Sequence, residues 1–206
     1  IGEEAVDRYL NGTISDLYDG MLMKDMDKAI DILKEKILED KKIRVIGDYD
    51  IDGVNATYIL LEGLERLGAD VDSDIPDRIS DGYGLNRHLV ERAYEAGVDT
   101  LITCDNGIAA ADEIAYGKEM GMTVIVTDHH EVPFDEHDGE KRYRIPPADA
   151  VMDPKQPDCL YPFKGLCGAA VAYKLMEALW ESMEKDSADL DDLIENVAIA
   201  TIGDVM

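Results

Sequence analysis

Positive charge is the scarcest property of this sequence. Twenty lysines and arginines stand against 46 aspartates and glutamates in 206 residues, a formal net charge of -26. A balance this acidic excludes broad electrostatic capture of nucleic acid or of an anionic membrane. It leaves open a local site where bound cations reverse the field. Cysteine is scarce too: Cys104, Cys159 and Cys167 make an odd count with no C-x-x-C pair. That predicts free thiols in a reducing cytoplasm rather than a disulfide framework. No apolar run is long enough to span a bilayer and no signal peptide is read, so a soluble chain without a membrane partner is expected. No internal repeat and no low-complexity segment is found. No Ser/His/Asp or Cys/His arrangement asks for a covalent nucleophile.

What is present is a chain able to fold. Hydrophobic residues make up 46%, enough for a core, and the length suits one large domain or two small ones. The first forty residues read as helical; "MDKAIDILKEKILED" (26–40) repeats apolar residues at a helical period. From residue 42 the pattern alternates. "IRVIG" is a short β-branched run and "ATYILLEGLERLG" an apolar helix. "DVDSDIP" is a strand and "LNRHLVERAYEAG" a helix. "VDTLITC", "IAAADEIAYGKEMG" and "MTVIVT" repeat the order strand, helix, strand. The helices stop at glycine. This predicts an α/β fold, a parallel sheet with helices on both faces. "EVPFDEHDGEKRYR" (131–144) reads as an exposed loop, and residues 150–152 as one more short strand. "GLCGAAVAYKLMEALWESM" is a strong helix. An acidic connector leads from it to a last apolar helix.

The unusual polar residues fall where the strands end. "VIGDYDIDGV" places Asp48, Asp50 and Asp52 after the first strand, with no positive charge among them. "TCDNG" places Asp105 after the third, and "TDHHE" places Asp128, His129 and His130 after the fourth. Ligands of open parallel sheets bind beyond the carboxyl ends of the strands. Each residue alone has a plainer reading, as a helix cap, a turn residue or a surface histidine. Two of the chain's four histidines at one rim with several carboxylates point to a metal or phosphate site. Carboxylates with imidazoles and no thiolate suit Mn²⁺, or Mg²⁺, better than a structural zinc. Several carboxylates suggest two ions sharing a bridging one, about 3.5–4 Å apart. "DYDIDG" is also compatible with a D-x-D phosphatase that uses its first aspartate as nucleophile. Asp105 and the Asp-His-His run at the later strand ends do not fit that alternative.

The motifs in order, "GDYDIDG", "ITCDNGI" and "DHH" after "VIVT", resemble the DHH phosphoesterase superfamily. "IPDRISDGYGLN", "YPFKGLCGAAVAYKL" and "ATIGDVM" are similar to its RecJ branch of single-strand-specific exonucleases. The resemblance covers residues 42–206 as a DHH domain, with residues 1–41 as an N-terminal helical arm. It implies that Asp50 holds one Mn²⁺, that Asp52, His129 and Asp204 hold the other, and that Asp105 bridges both. Asp48 is an auxiliary ligand, since Ile46 stands where some superfamily members have a histidine. His130 faces the phosphate and Asp128 orients a histidine. Arg78, Tyr83 and Gly84 meet the substrate. The amides near Gly165, Gly168, Ala169 and Ala170 either approach a phosphate or serve close helix packing.

The implied activity is a Mn²⁺-dependent hydrolysis of single-stranded DNA from the 5′ end to 5′-mononucleotides, in repair and recombination, by water activated at two metal ions. The resemblance also implies a partner domain, DHHA1, following this chain, and a nucleic-acid-binding surface carried outside it. The alternatives are a phosphoesterase for oligoribonucleotides, cyclic dinucleotides or pyrophosphate, and a non-catalytic replication or repair scaffold.

Overall fold

The computed structural model describes residues 2–79, 82–137 and 139–206. The arm holds α1 (Glu3–Asn11), two 3-10 turns (Ile14–Asp16 and Gly20–Leu22) and α2 (Met26–Leu38). The alternating part runs β1 (Ile43–Ile46), α3 (Ile51–Arg66), β2 (Val71–Asp74), α4 (Arg87–Glu95), β3 (Thr100–Cys104), α5 (Ala111–Glu119) and β4 (Thr123–Thr127). It continues through β5 (Phe134–His137), β6 (Glu140–Tyr143) and β7 (Ala150–Met152) to α6 (Gly168–Ser182). A 3-10 stretch, Ser187–Leu193, leads into α7 (Ile194–Gly203). Among the described residues no helix is long and apolar enough to cross a membrane.

Five strands form one parallel sheet in the order β2-β1-β3-β4-β7. Side chains alternate between its faces. Ile43, Val45, Ile102, Cys104, Ile125, Ala150 and Met152 join the core under α2, α3 and α6. Ile46, Leu101, Val124, Val126 and Val151 join the core under α4 and α5. Both faces are covered, and β3, β4 and β7 are buried almost throughout, whereas Arg44 of β1 and the edge strand β2 (VDSD) keep polar residues. α2 belongs to the first core through Met26, Ala29, Ile30, Leu33 and Ile37. Gly68, Gly97 and Gly121 follow α3, α4 and α5 with positive φ, as the sequence predicts for glycine stops.

One expectation needs correction. The segment read as an exposed loop is an antiparallel hairpin of β5 and β6, turning at Gly139 with φ +80. Phe134 and Tyr143 pair across it with ring centroids 5.7 Å apart, and the Lys141 ammonium sits 4.1 Å above the Phe134 ring. Every residue of both strands is exposed. A strand without a buried face need not alternate apolar and polar residues, so the period-2 signal is missing. Asp138, within this stretch, and Ser80 and Asp81, within the "IPDRISDGYGLN" motif, lie outside the described residues.

Candidate metal centre

Strand register brings the distant motifs together. Ile46 pairs with Thr103, Cys104 with Thr127, and Thr127 with Met152. The residues just beyond these strands therefore share one rim. Asp50 caps α3 by accepting the Gly53 N–H at 2.8 Å. Asp52, in the first turn of α3, is buried. Its two oxygens accept the Gly168 and Ala169 amides at 2.6 and 2.7 Å, at the start of α6. That contact ties the two helices together at the centre.

Asp105 is the most constrained residue here. Its φ is +59, the left-handed region, which is uncommon outside glycine and concentrates at functional positions. It is 1% exposed, and neither oxygen has a hydrogen-bond partner among the described residues. The His129 Nε2 lies 3.0 Å from its Oδ1. Gly168 makes room for it: a Cβ there would stand 2.7 Å from the Asp105 Cβ. This corrects one alternative for Gly168. Its amide is occupied by Asp52 and not open to a phosphate, so close packing is the reading that the geometry favours.

His129 is buried, with Nε2 3.4 Å from Asp52 and 3.9 Å from Asp204. Three sets of ligand atoms lie within 4.8 Å of one another: Asp48, Asp50 and Asp105; Asp52, His129 and Asp204; and Asp105, His129 and His130. Asp105 belongs to the first and third sets, and its Oδ1 lies 3.0 Å from His129 of the second, a place from which one carboxylate can face both. Both oxygens of buried Asp48 also lack hydrogen-bond partners among the described residues. Orphaned buried carboxylate oxygens facing one another are costly unless a cation takes them. The donors are oxygen and imidazole nitrogen, with no thiolate in any set. They fit Mn²⁺ or Mg²⁺.

Asp128 lies behind the centre. Its Oδ2 accepts the Ile108 N–H at 2.8 Å, and its Oδ1 accepts the His129 N–H at 2.7 Å. The same Oδ1 lies 2.8 Å from His130 Nδ1. Asp128 thus orients His130 and is absent from every ligand set. That hydrogen bond, opposed by burial and reinforced by the charge of Asp128, pushes the His130 imidazole up to about 9. His130 Nε2 lies 3.2 Å from the Tyr83 hydroxyl, which donates to the Asp105 carbonyl at 3.4 Å.

Tyr83 packs edge-on against Tyr49, with centroids 6.1 Å apart, and the Arg78 guanidinium lies 5.4 Å from the centre of the Tyr49 ring. Arg78 is exposed, and no salt bridge among the described residues engages it. Gly84, at φ +69, carries this loop past the Asn106 Cβ, 3.4 Å from where its own Cβ would be. A cavity of about 300 Å³ opens beside His130, bounded by Tyr83, Leu85, Asn106, Ile108 and Glu113.

Two residues were missed in the sequence. Tyr49 stands inside the quoted acidic motif, but its ring signals nothing until the loop bearing Arg78 and Tyr83 folds over it. Asp153 follows β7 as Asp128 follows β4, and it is fully buried. Its signal was available, since an aspartate directly after a strand already marks Asp105 and Asp128.

Burial drives the centre's acids upward. The Asp105 carboxyl rises most, through desolvation and then the charges of Asp52 and Asp50. Asp48 and Asp52 rise for the same first reason. Desolvation and the charge of Asp128 push Asp153 up to about 7. A carboxyl raised on folding starts to destabilise the fold as pH rises past its unfolded value near 4, and the penalty is complete once pH passes its folded value. The raised His130 contributes stability that is full below about 6.5 and lost as pH passes 9. All these signs agree. Without divalent metal, the melting temperature should therefore fall steadily from pH 5.5 to pH 8.5. Saturating Mn²⁺ should flatten that slope, because metal replaces protons on the same groups. Melting curves in chelator and in Mn²⁺ check both; a metal-free curve that rises with pH refutes the assignment.

These features define a carboxylate-rich candidate metal centre on the rim of a doubly covered parallel sheet. The chain belongs to the DHH family: the profile of the DHH family, N-terminal domain, matches residues 42–201. It is 41% identical over 203 residues to the single-stranded-DNA-specific exonuclease RecJ of Bacillus subtilis (strain 168), covering 98% of this chain and 24% of that protein. The crystal structure of exonuclease RecJ bound to manganese superposes with a TM-score of 0.74 at 36% identity, covering 89% of this chain and 44% of that one. RecJ from Thermus thermophilus in complex with Mn²⁺ superposes at 0.67 with 35% identity, covering 89% of this chain and 24% of that one. The chain spans about a quarter of the length of its B. subtilis relative.

Proposed function

We propose that this chain is the catalytic, metal-binding unit of a single-strand-specific DNA exonuclease. The observation that carries this reading is the pair of ligand sets around Asp105 and His129, in a chain 36% identical to a manganese-bound RecJ. Asp48, Asp50 and Asp105 would hold one Mn²⁺; Asp52, His129 and Asp204 would hold a second, with Asp105 leaning toward both. When bound, the ions supply a water of lowered pKa and offset the charge of the phosphate.

The chain's own residues do the rest. His130 is held by Asp128 through Nδ1, a hydrogen bond that favours its protonated form. Its Nε2 lines the cavity beside the Tyr83 hydroxyl, and its N–H would turn from that hydroxyl to a phosphate oxygen as negative charge develops there. Tyr83 keeps that ring in place through its hydroxyl. Exposed Arg78, stacked on Tyr49, provides a charge-assisted contact for an adjacent phosphate. The cavity beside His130 is large enough to receive a single unstacked nucleoside.

The proposal extends to attack from the 5′ end, release of 5′-mononucleotides, a role in repair and recombination, and a cytoplasmic setting. Residues 42–206 form the DHH unit in this reading, with residues 1–41 as its helical arm. A following DHHA1 domain and a basic surface elsewhere in the full protein would supply the grip on the strand that a net charge of -26 does not. The test is the full-length protein with Mn²⁺ on labelled single-stranded DNA, duplex DNA, dinucleotides and pyrophosphate in parallel. Stepwise shortening of single strands is expected. Hydrolysis of the small substrates alone would replace this reading with the small-substrate phosphoesterase. Tight Mn²⁺ binding with no turnover would replace it with the scaffold.

A further inference from the structure

We infer that Asp153 is the positioning residue of His129, its carboxylate holding the proton on Nδ1 so that Nε2 is presented bare to Asp52, Asp105 and Asp204. The inference rests on the reading that this rim binds a divalent cation. It starts from two unsatisfied atoms. His129 is 4% exposed and aims Nε2 at the three carboxylates, while its Nδ1 has no hydrogen-bond partner among the described residues. Asp153 is fully buried. Its Oδ1 accepts the Lys155 N–H at 2.7 Å, and its Oδ2 has no such partner.

Register brings the two segments together. Thr127 pairs with Met152, and the Asp128 N–H donates to the Met152 carbonyl at 3.0 Å, so the residue after β7 lies beside the Asp-His-His run. No salt bridge among the described residues compensates Asp153; the neighbouring Lys155 ammonium pairs with Glu131 instead, at 3.4 Å. A turn role explains one oxygen of Asp153 and leaves the other buried and unpaired, at a cost. A ligand role fails too, because Asp153 belongs to none of the three ligand sets.

A histidine that binds metal through Nε2 must carry its proton on Nδ1, and that N–H is normally received by a carboxylate, a carbonyl or a water. Asp153 offers the free carboxylate oxygen. In this inference a rotation of either side chain, or one bridging water, would complete the link.

The experiment measures Mn²⁺ binding to the chain by calorimetry, together with the metal-free melting temperature and the ¹⁵N shifts of the His129 ring. Asp153→Asn keeps the shape and removes the charge. It should weaken Mn²⁺ binding about tenfold or more, move the His129 ring away from the Nδ1–H tautomer, and leave the metal-free melting temperature equal or higher. Asp153→Ala should weaken binding at least as much. Mn²⁺ affinity within twofold of the unsubstituted chain overturns the inference. So does a loss of affinity matched by a fall in metal-free melting temperature, which would assign Asp153 to the fold. If the unsubstituted chain binds no Mn²⁺, the metal reading fails first and this one falls with it.

Discussion

Asp105→Asn should abolish hydrolysis and, at the same time, make the metal-free protein more stable. The carboxylate is buried with both oxygens unpaired, and it is pushed toward its neutral form by desolvation and by Asp52 and Asp50. Removing its charge relieves a penalty of roughly 1–3 kcal/mol, or about 2–4 °C for each kcal/mol in a chain of this size. Asparagine tolerates the left-handed backbone at this position as well as aspartate does, so the substitution adds no strain. The loss of activity should be about a thousandfold or more, because the residue shared between ligand sets can no longer offset two cations. Opposite signs in the two assays identify a site that trades stability for function. A melting temperature that stays level or falls in chelator contradicts the electrostatic account. Retained turnover contradicts the centre itself.

His130→Ala should lower the rate about 10²–10³-fold while leaving Mn²⁺ affinity close to that of the unsubstituted chain. The ring is held by Asp128 on one side and Tyr83 on the other, and the Asp128 hydrogen bond is what raises it to about 9. Its role requires the protonated form. Activity should therefore fall on the alkaline side at or below about pH 9, since bound cations pull that value down. Asp128→Asn should move the same limb toward 6.5. A large loss of Mn²⁺ affinity in His130→Ala would make the residue a ligand, and an alkaline limb unchanged by either substitution would detach it from the chemistry.

Much of this site was legible before folding. Strands wrapped on both faces are rich in β-branched apolar residues, so β1, β3 and β4 announce themselves and fix where the chain turns. The first polar residues past those turns were the natural candidates, and Asp48, Asp50, Asp52, Asp105, Asp128 and His129 all lie on one rim. The hairpin was not legible, because neither of its strands buries a face. Asp153 was overlooked for a different reason. β7 was read as a strand, but it is three residues long at the sheet edge, and no second acid or histidine beside Asp153 marked its end as part of the cluster.

The role of Gly168 turned on contacts no sequence rule supplies. In one dimension a glycine at a helix start is equally a phosphate cradle or a packing contact. Only the approach of α3 to α6 delivers Asp52 to its amide and Asp105 to the space its side chain would fill. Local chemistry, read from residue types and their spacing after each strand, determined by itself that acids and histidines gather at one sheet edge and that their charges call for cations. Tertiary structure decided which acid leans on which: Asp128 behind His130, Asp52 on the α6 amides, and Asp105 strained and unpaired between the ligand sets. The reason is range. Strand periodicity is a property of neighbouring residues, whereas a carboxylate's partners come from register between strands as far apart as residues 46, 104, 127 and 152.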